Sequence, residues 1–131
     1  MGEFRGMGER KIYRDLEVWL KSKALTKEIY LLTKTFPKDE LYGLVSQMRR
    51  CAISVPSNIA EGYGRQHKKE TIHFLFVARG SLYELETQLY ISNDLDYIDE
   101  AKINTLIPTI EECRKLLSGL IKYFENNNNL K

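Results

Sequence analysis

With 131 residues, 43% of them apolar and 29% charged, the chain has the composition of one globular domain with one hydrophobic core. No run approaches the roughly 18 apolar residues of a spanning helix, and the charged, Gly-bearing stretch Met1–Arg14 has no apolar h-region, so neither a spanning helix nor a secretory signal is expected, and a cytoplasmic location is. Two cysteines and a net charge of +2 rule out a disulfide scaffold and fall short of the strongly basic balance of a committed nucleic-acid binder.

Residues 1–14 read as a flexible basic arm, within which Met7 is a second candidate start. The first helical segment spans about Asp15–Thr35, with Leu16, Trp19, Leu20, Ile29 and Leu32 on its apolar stripe and Asp15 as its expected N-cap. After Phe36-Pro37-Lys38, the second runs from Asp39 to Tyr63 and spaces Leu41, Leu44, Val45, Met48, Ala52, Val55 and Ile59 at helical intervals. Pro56 predicts a bend in it. The third, about Lys68–Asn93, repeats the pattern with Leu75, Ala78, Leu82, Leu85 and Leu89. The fourth carries the clearest seam: Ile103, Leu106, Ile110, Cys113, Leu117, Leu120 and Phe124 step by threes and fours, with Asp99 and Glu100 favouring its start and Pro108 predicting a kink. The links Gly64–His67 and Asp94–Ile98 are short, and short links force antiparallel neighbours. The expected fold is therefore all-α, an antiparallel up-down-up-down four-helix bundle over 15–125, followed by a disordered polar tail at 126–131. Cys51 and Cys113 fall on apolar stripes and are expected to be reduced, structural thiols.

Two further faces stand out. Gln47, Arg50, Ser54, Asn58 and Glu61 form a polar stripe on the second segment, matched by Glu70, Ser81, Glu84 and Gln88 on the third. A hairpin at Gly64 brings Arg50 level with Ser81 and Glu84 and predicts an interhelical polar seam with an Arg50–Glu84 contact. Ile72, Phe76, Tyr83 and Tyr90 make a second apolar stripe on the third segment, about a third of a turn from its leucines. It reads either as broad core contact or as an oligomer interface, with Gly80 permitting close backbone approach.

Charge is unevenly placed: residues 1–70 hold fourteen Lys/Arg against nine Asp/Glu, and 71–131 hold six against nine. Up-down topology collects Arg10, Lys11, Arg14, Arg65, His67, Lys68, Lys69 and Lys122 at one pole, opposite Asp94, Asp96, Asp99 and Glu100. Arg10, Lys11, Arg14, Arg65, Lys68 and Lys69 are the candidate nucleic-acid contacts, helped by free N–H groups at the start of the third helix. A cyclic oligomer with parallel subunits would merge such poles into one basic ring.

Catalytic and metal patterns are weak. Glu70-Thr71-Ile72-His73 is an E-x-x-H, but a di-metal bundle needs that element twice with two further glutamates, and the other histidine, His67, has Gly64 three residues before it. Seven residues separate Arg65 from His73 and one separates it from His67, neither of which matches the Arg-x4–6-His spacing of RNA-cleaving helical domains. No Walker-type loop occurs. No catalytic residue, metal or cofactor is expected.

One set of residues is distinctive: Asp15-Leu-Glu-Val-Trp19, Phe36-Pro37 with Glu40, Gln47-Met-Arg49-Arg50, Ser54, Asn58-Ile-Ala-Glu61-Gly62, Arg65, Phe74-Leu75, Ala78, Gly80-Ser81 and Glu84-Leu85. Over roughly 12–124 it resembles the four-helix bundle proteins related to those encoded in 23S ribosomal RNA intervening sequences. The resemblance implies a bacterial protein assembling as a homopentameric ring, similar to the accessory protein of diversity-generating retroelements, a basic pentamer that engages nucleic acid and a reverse transcriptase. It implies no catalytic residues. Arg49, Arg50 and Arg65 match its motif, and matching leaves open whether they touch nucleic acid or hold the bundle together. The function expected is weak binding of structured RNA or DNA at the basic pole. The alternative is an adaptor that meets a protein partner through the aromatic stripe.

Overall fold

The structure is a computed structural model and describes residues 12–126. Most of the expected arm, including Arg10 and Lys11, and the tail beyond Asn126 lie outside the described residues. The described residues form four α-helices, α1 Glu17–Thr33, α2 Ser46–Tyr63, α3 Lys68–Asp94 and α4 Glu100–Asn126, with no strand among them.

The ends of these helices follow local chemistry. Tyr13–Asp15 form a 3-10 turn ahead of α1. Asp15 is consequently not the N-cap: it is held inside that turn, and Leu16 occupies the cap position without a capping side chain. Asp99 does cap α4, its Oδ1 accepting the Lys102 N–H at 3.0 Å. The start of the second segment is not α-helical. A 3-10 turn at Lys38–Glu40 passes into a π-helical turn at Leu41–Val45, with non-helical backbone at Gly43. Glu40 secures this entry, its Oε1 accepting the Leu44 N–H at 3.2 Å and its Oε2 the Tyr97 hydroxyl at 2.8 Å. A Cβ on Gly43 would lie 3.1 Å from Glu40 Oε1, so a side chain there would require the Glu40 carboxylate to shift. Pro56 and Pro108 sit inside α2 and α4 without ending either helix.

The cross-links fix the topology. Thr26 Oγ1 donates to the Ala52 carbonyl and Arg49 Nε to Thr33 Oγ1, which runs α1 and α2 antiparallel. Thr71 Oγ1 donates to the Gly62 carbonyl, and Ser54 to Ser81, which does the same for α2 and α3. Arg114 pairs with Glu86 and Arg79 with Ser118 between α3 and α4. Lys21 and Glu112 close the cycle between α1 and α4 at 3.3 Å. The helices thus alternate in direction around a single core.

Expected stripes on α2, α3 and α4 point inward: Met48, Val55, Ile59, Leu75, Leu82, Leu85, Leu89, Ile110 and Leu117 are fully buried. Each such side chain contributes roughly 1.5–3 kcal/mol of burial free energy. The stripe of α1 is rotated from expectation. Val18, Ser22, Leu25, Ile29 and Thr33 face the core, while Leu20 is exposed and Leu16, Trp19 and Leu32 are half-buried. Both polar members satisfy their hydroxyls locally, Ser22 on the Trp19 carbonyl and Thr33 on the Ile29 carbonyl. Leu41, in the π turn, is likewise exposed.

Candidate nucleic-acid interface

Alternating direction places the start of α1, the α2–α3 turn and the end of α4 at one tip. Tyr63 at the end of α2 meets Phe124 near the end of α4 edge-to-face at 5.6 Å, and Leu16 and Tyr123 line one groove. Arg14, Arg65, His67, Lys68, Lys69 and Lys122 therefore share this tip, as expected, whereas Asp94, Asp96, Asp99 and Glu100 gather at the other.

The members of the basic cluster differ in availability. Arg14, Lys69 and Lys122 are exposed and form no ion pair among the described residues. Lys68 is half-buried at the first turn of α3. Arg65 is engaged by its own chain: its Nη2 lies 2.7 Å from Glu61 Oε2, and its guanidinium sits 4.9 Å from the centre of the Phe74 ring. This is an i,i+4 pair of charges closing the α2 end, a structural task for a residue expected to hold phosphate. His67 precedes α3 as its N-cap residue without a side-chain cap, and its carbonyl accepts the Glu70 and Thr71 N–H groups.

The polar seam between α2 and α3 is narrower than expected. Its working part is Ser54, whose hydroxyl bonds Ser81, together with Asn58, whose amide donates to the Ser54 carbonyl at 2.7 Å. Cys51, read from sequence as plain core, joins it by donating to the Ser81 carbonyl at 3.1 Å and approaching Glu84 Oε1 at 3.8 Å. Gln47, Arg50 and Glu61 are exposed and lie outside it. The expected Arg50–Glu84 contact is not made: Arg50 lines the outer face of α2, whereas Glu84 meets the Cys51 thiol on the α3 side. The neighbouring Arg49 performs the bracing instead, binding Thr33 Oγ1 at 2.9 Å and the Tyr30 carbonyl at 3.3 Å and lying over the Tyr30 ring. Both partners belong to the last turn of α1, where a cation also suits the helix dipole.

The aromatic stripe on α3 divides. Ile72 packs against the core and leaves it. Phe76, Tyr83 and Tyr90 remain open, with relative exposures of 42%, 55% and 45%. Two arginines at the α3–α4 contact cover part of them: Arg79 lies over Phe76 while bonding Ser118, and Arg114 lies over Tyr83 while paired with Glu86. Val77 and Ile91, not singled out in the sequence, are exposed on the same helix. Gly80 is open, with nothing within 4 Å of an added Cβ, so no other helix among the described residues approaches there.

Among the described residues no cluster of three or more His, Cys, Asp or Glu is placed to hold a metal ion, and Glu70 and His73 are both exposed. The cysteines are free and buried. Burial, then the nearby Glu84 carboxylate, pushes the Cys51 thiol up to about 12, and burial with Glu112 pushes Cys113 up to about 11. Thiols held this firmly in the protonated form are poor nucleophiles. No helix among the described residues is long and apolar enough to cross a membrane.

A family model described as 23S rRNA-intervening sequence protein matches residues 14–119, a span that takes in α1, α2, α3 and most of α4. No curated protein matches the chain.

Proposed function

Because the chain belongs to the 23S rRNA-intervening sequence protein family, we propose that it is a non-enzymatic, cyclic homo-oligomer that binds structured RNA or DNA through its basic tip in the bacterial cytoplasm. The observation that carries this reading is the gathering of Arg14, Lys69 and Lys122, far apart in sequence, at one end of the bundle without ion pairs among the described residues. A phosphate backbone is the partner for such a cluster, since each neutralised phosphate releases counterions and adds affinity. Asp94, Asp96, Asp99 and Glu100 sit at the far end, whereas Asp15, Glu17, Glu61, Glu70 and Glu125 share the basic tip, so the field of one copy is weak. Parallel subunits around an axis turn several weak tips into one strong field, and the family resemblance suggests five of them.

Salt-titrated binding of duplex and single-stranded RNA tests the proposal. Measurable affinity at low salt that falls steeply with salt, and is lost in an Arg14→Glu/Lys69→Glu/Lys122→Glu variant, supports it. Absence of affinity at low salt overturns it. The open Phe76, Tyr83 and Tyr90 side chains favour a second reading, an adaptor that meets another protein through α3. Nuclease-resistant co-purification of a protein partner, lost in Tyr83→Glu, distinguishes that case.

A further inference from the structure

The outer side of α2 carries a groove that RNA binding at the tip leaves unused. Tyr30, Leu41, Tyr42, Arg49, Arg50 and Ile53 bound it, and no carboxylate among the described residues lines it. Tyr42 is 92% exposed, and Leu41 and Ile53 are open beside it. Arg49 is occupied on α1, whereas Arg50 is exposed with no ion pair or hydrogen bond among the described residues. A mostly apolar trough holding one such cation calls for an apolar surface bearing a carboxylate.

The exposed side of α3 has that chemistry. Phe76, Val77, Tyr83 and Ile91 are open along it, Gly80 leaves a dip between them, and the exposed Glu84 carboxylate is met, among the described residues, only by the Cys51 thiol at 3.8 Å. Nearby cations are already engaged, Arg79 on Phe76 and Ser118, Arg114 on Glu86.

Register supplies the geometric argument. The bonds from Cys51 and Ser54 to Ser81, and from Ser92 to Met48, set residues 48–54 of α2 level with residues 81–92 of α3. Groove and ridge thus occupy the same stretch of the bundle axis, with Arg50 near the height of Glu84. Rotation about an axis parallel to the bundle moves every atom at constant height, so surfaces that mate in a closed ring of parallel subunits must share one height.

We propose that the α2 groove of one copy receives the α3 ridge of the next, with Arg50 of one pairing with Glu84 of the other. The inference rests on the assembly reading above and adds the mating surfaces. Contact between two different patches is head-to-tail, the kind that closes rings. It also gives Arg50 and Glu84 an ion-pair partner that neither has among the described residues of its own chain.

Light-scattering mass, with circular dichroism as the check on folding, decides the matter for wild type, Arg50→Glu, Glu84→Arg and the double reversal. Wild type is expected at a multiple of 15.3 kDa, each single variant at 15.3 kDa with unchanged helicity, and the double variant back at the multiple. A wild type already at 15.3 kDa removes the assembly reading and this inference with it. A multimeric wild type whose mass survives both single reversals overturns the mating surfaces alone and leaves assembly standing. Singles that dissociate without rescue in the double variant overturn the Arg50–Glu84 pairing. Should Arg50→Glu keep its mass yet lose binding to an oligouridylate, the groove is a nucleic-acid site and the inference is wrong. Tyr42→Asp provides an independent variant at the groove, expected to dissociate the multimer as well.

Discussion

The Thr71 hydroxyl donates to the Gly62 carbonyl at 2.8 Å, and a Cβ on Gly62 would lie only 3.1 Å from both the Thr71 carbonyl oxygen and the Phe74 Cβ. The two residues bring the end of α2 against the start of α3 at backbone distance. Gly62→Ala is therefore expected to lower stability by about 1–3 kcal/mol through overpacking against groups that cannot swing away. Thr71→Val should cost about 1 kcal/mol by removing one hydrogen bond. Urea denaturation of both variants checks the order, and a neutral Gly62→Ala would contradict the close approach.

Glu86 and Arg114 form the most enclosed ion pair between helices among the described residues, with side chains 20% and 18% exposed. Arg114 also covers the Tyr83 ring at 4.4 Å. Arg114→Met leaves Glu86 without its partner and is expected to destabilise by about 2 kcal/mol, less than a fully buried pair because both groups still reach water. Glu86→Leu combined with Arg114→Met should recover most of the loss. A double-mutant cycle in urea measures the coupling, and additive losses would show that the pair does not act as one unit.

At the basic tip, two kinds of cation separate by experiment. Arg65 is held by Glu61 and Phe74, so Arg65→Ala should lower stability by up to about 1 kcal/mol and leave the salt dependence of RNA binding nearly unchanged. Lys69→Ala and Lys122→Ala touch no such pair among the described residues and should leave the melting temperature alone. Each should flatten the plot of log affinity against log salt by about one unit for every phosphate that it no longer neutralises. The reverse assignment, a slope that responds to Arg65 and not to the lysines, would move the interface onto the α2–α3 turn.

Alkaline conditions should expose the buried thiols. In the folded chain Cys51 titrates near 12 and Cys113 near 11, both above the ordinary 9.0, so between these values the folded state holds protons that the unfolded state has released. Stability from these groups is fully present below pH 9 and declines as pH rises through the folded values. Cys51→Ala should flatten the alkaline limb of the stability curve. A thiol reagent at pH 8 should label the native protein no faster than the rate of opening, and immediate labelling would refute the burial.

Much of the bundle is legible in the sequence because three helices write their buried face in leucine, isoleucine and valine. The buried face of α1 is not, because Ser22 and Thr33 hold core positions, and a hydroxyl bonded to its own helix looks polar in sequence but presents little polarity to the core. The Arg65–Glu61 pair is readable from its i,i+4 spacing, yet the same arginine reads equally well as a phosphate ligand until its partner is seen. Arg49 cannot be placed from sequence, since its partners Tyr30 and Thr33 lie on another helix and depend on register. Arg50 and Glu84 stand level along the bundle and still do not meet, because Arg50 lies on the outer face of α2 and Cys51 takes the place against Glu84.

An even number of alternating rods brings residues 12–16 and 123–126 to one tip, where Leu16 and Tyr123 border a common groove. Helix order around the bundle is therefore a closed circuit that covalent connectivity cuts at one arbitrary corner. A short linker across that corner, with the peptide reopened between α1 and α2 or between α3 and α4, should give a circular permutant with the same core. New ends would then emerge from the acidic tip, leaving the cationic one sealed by the linker.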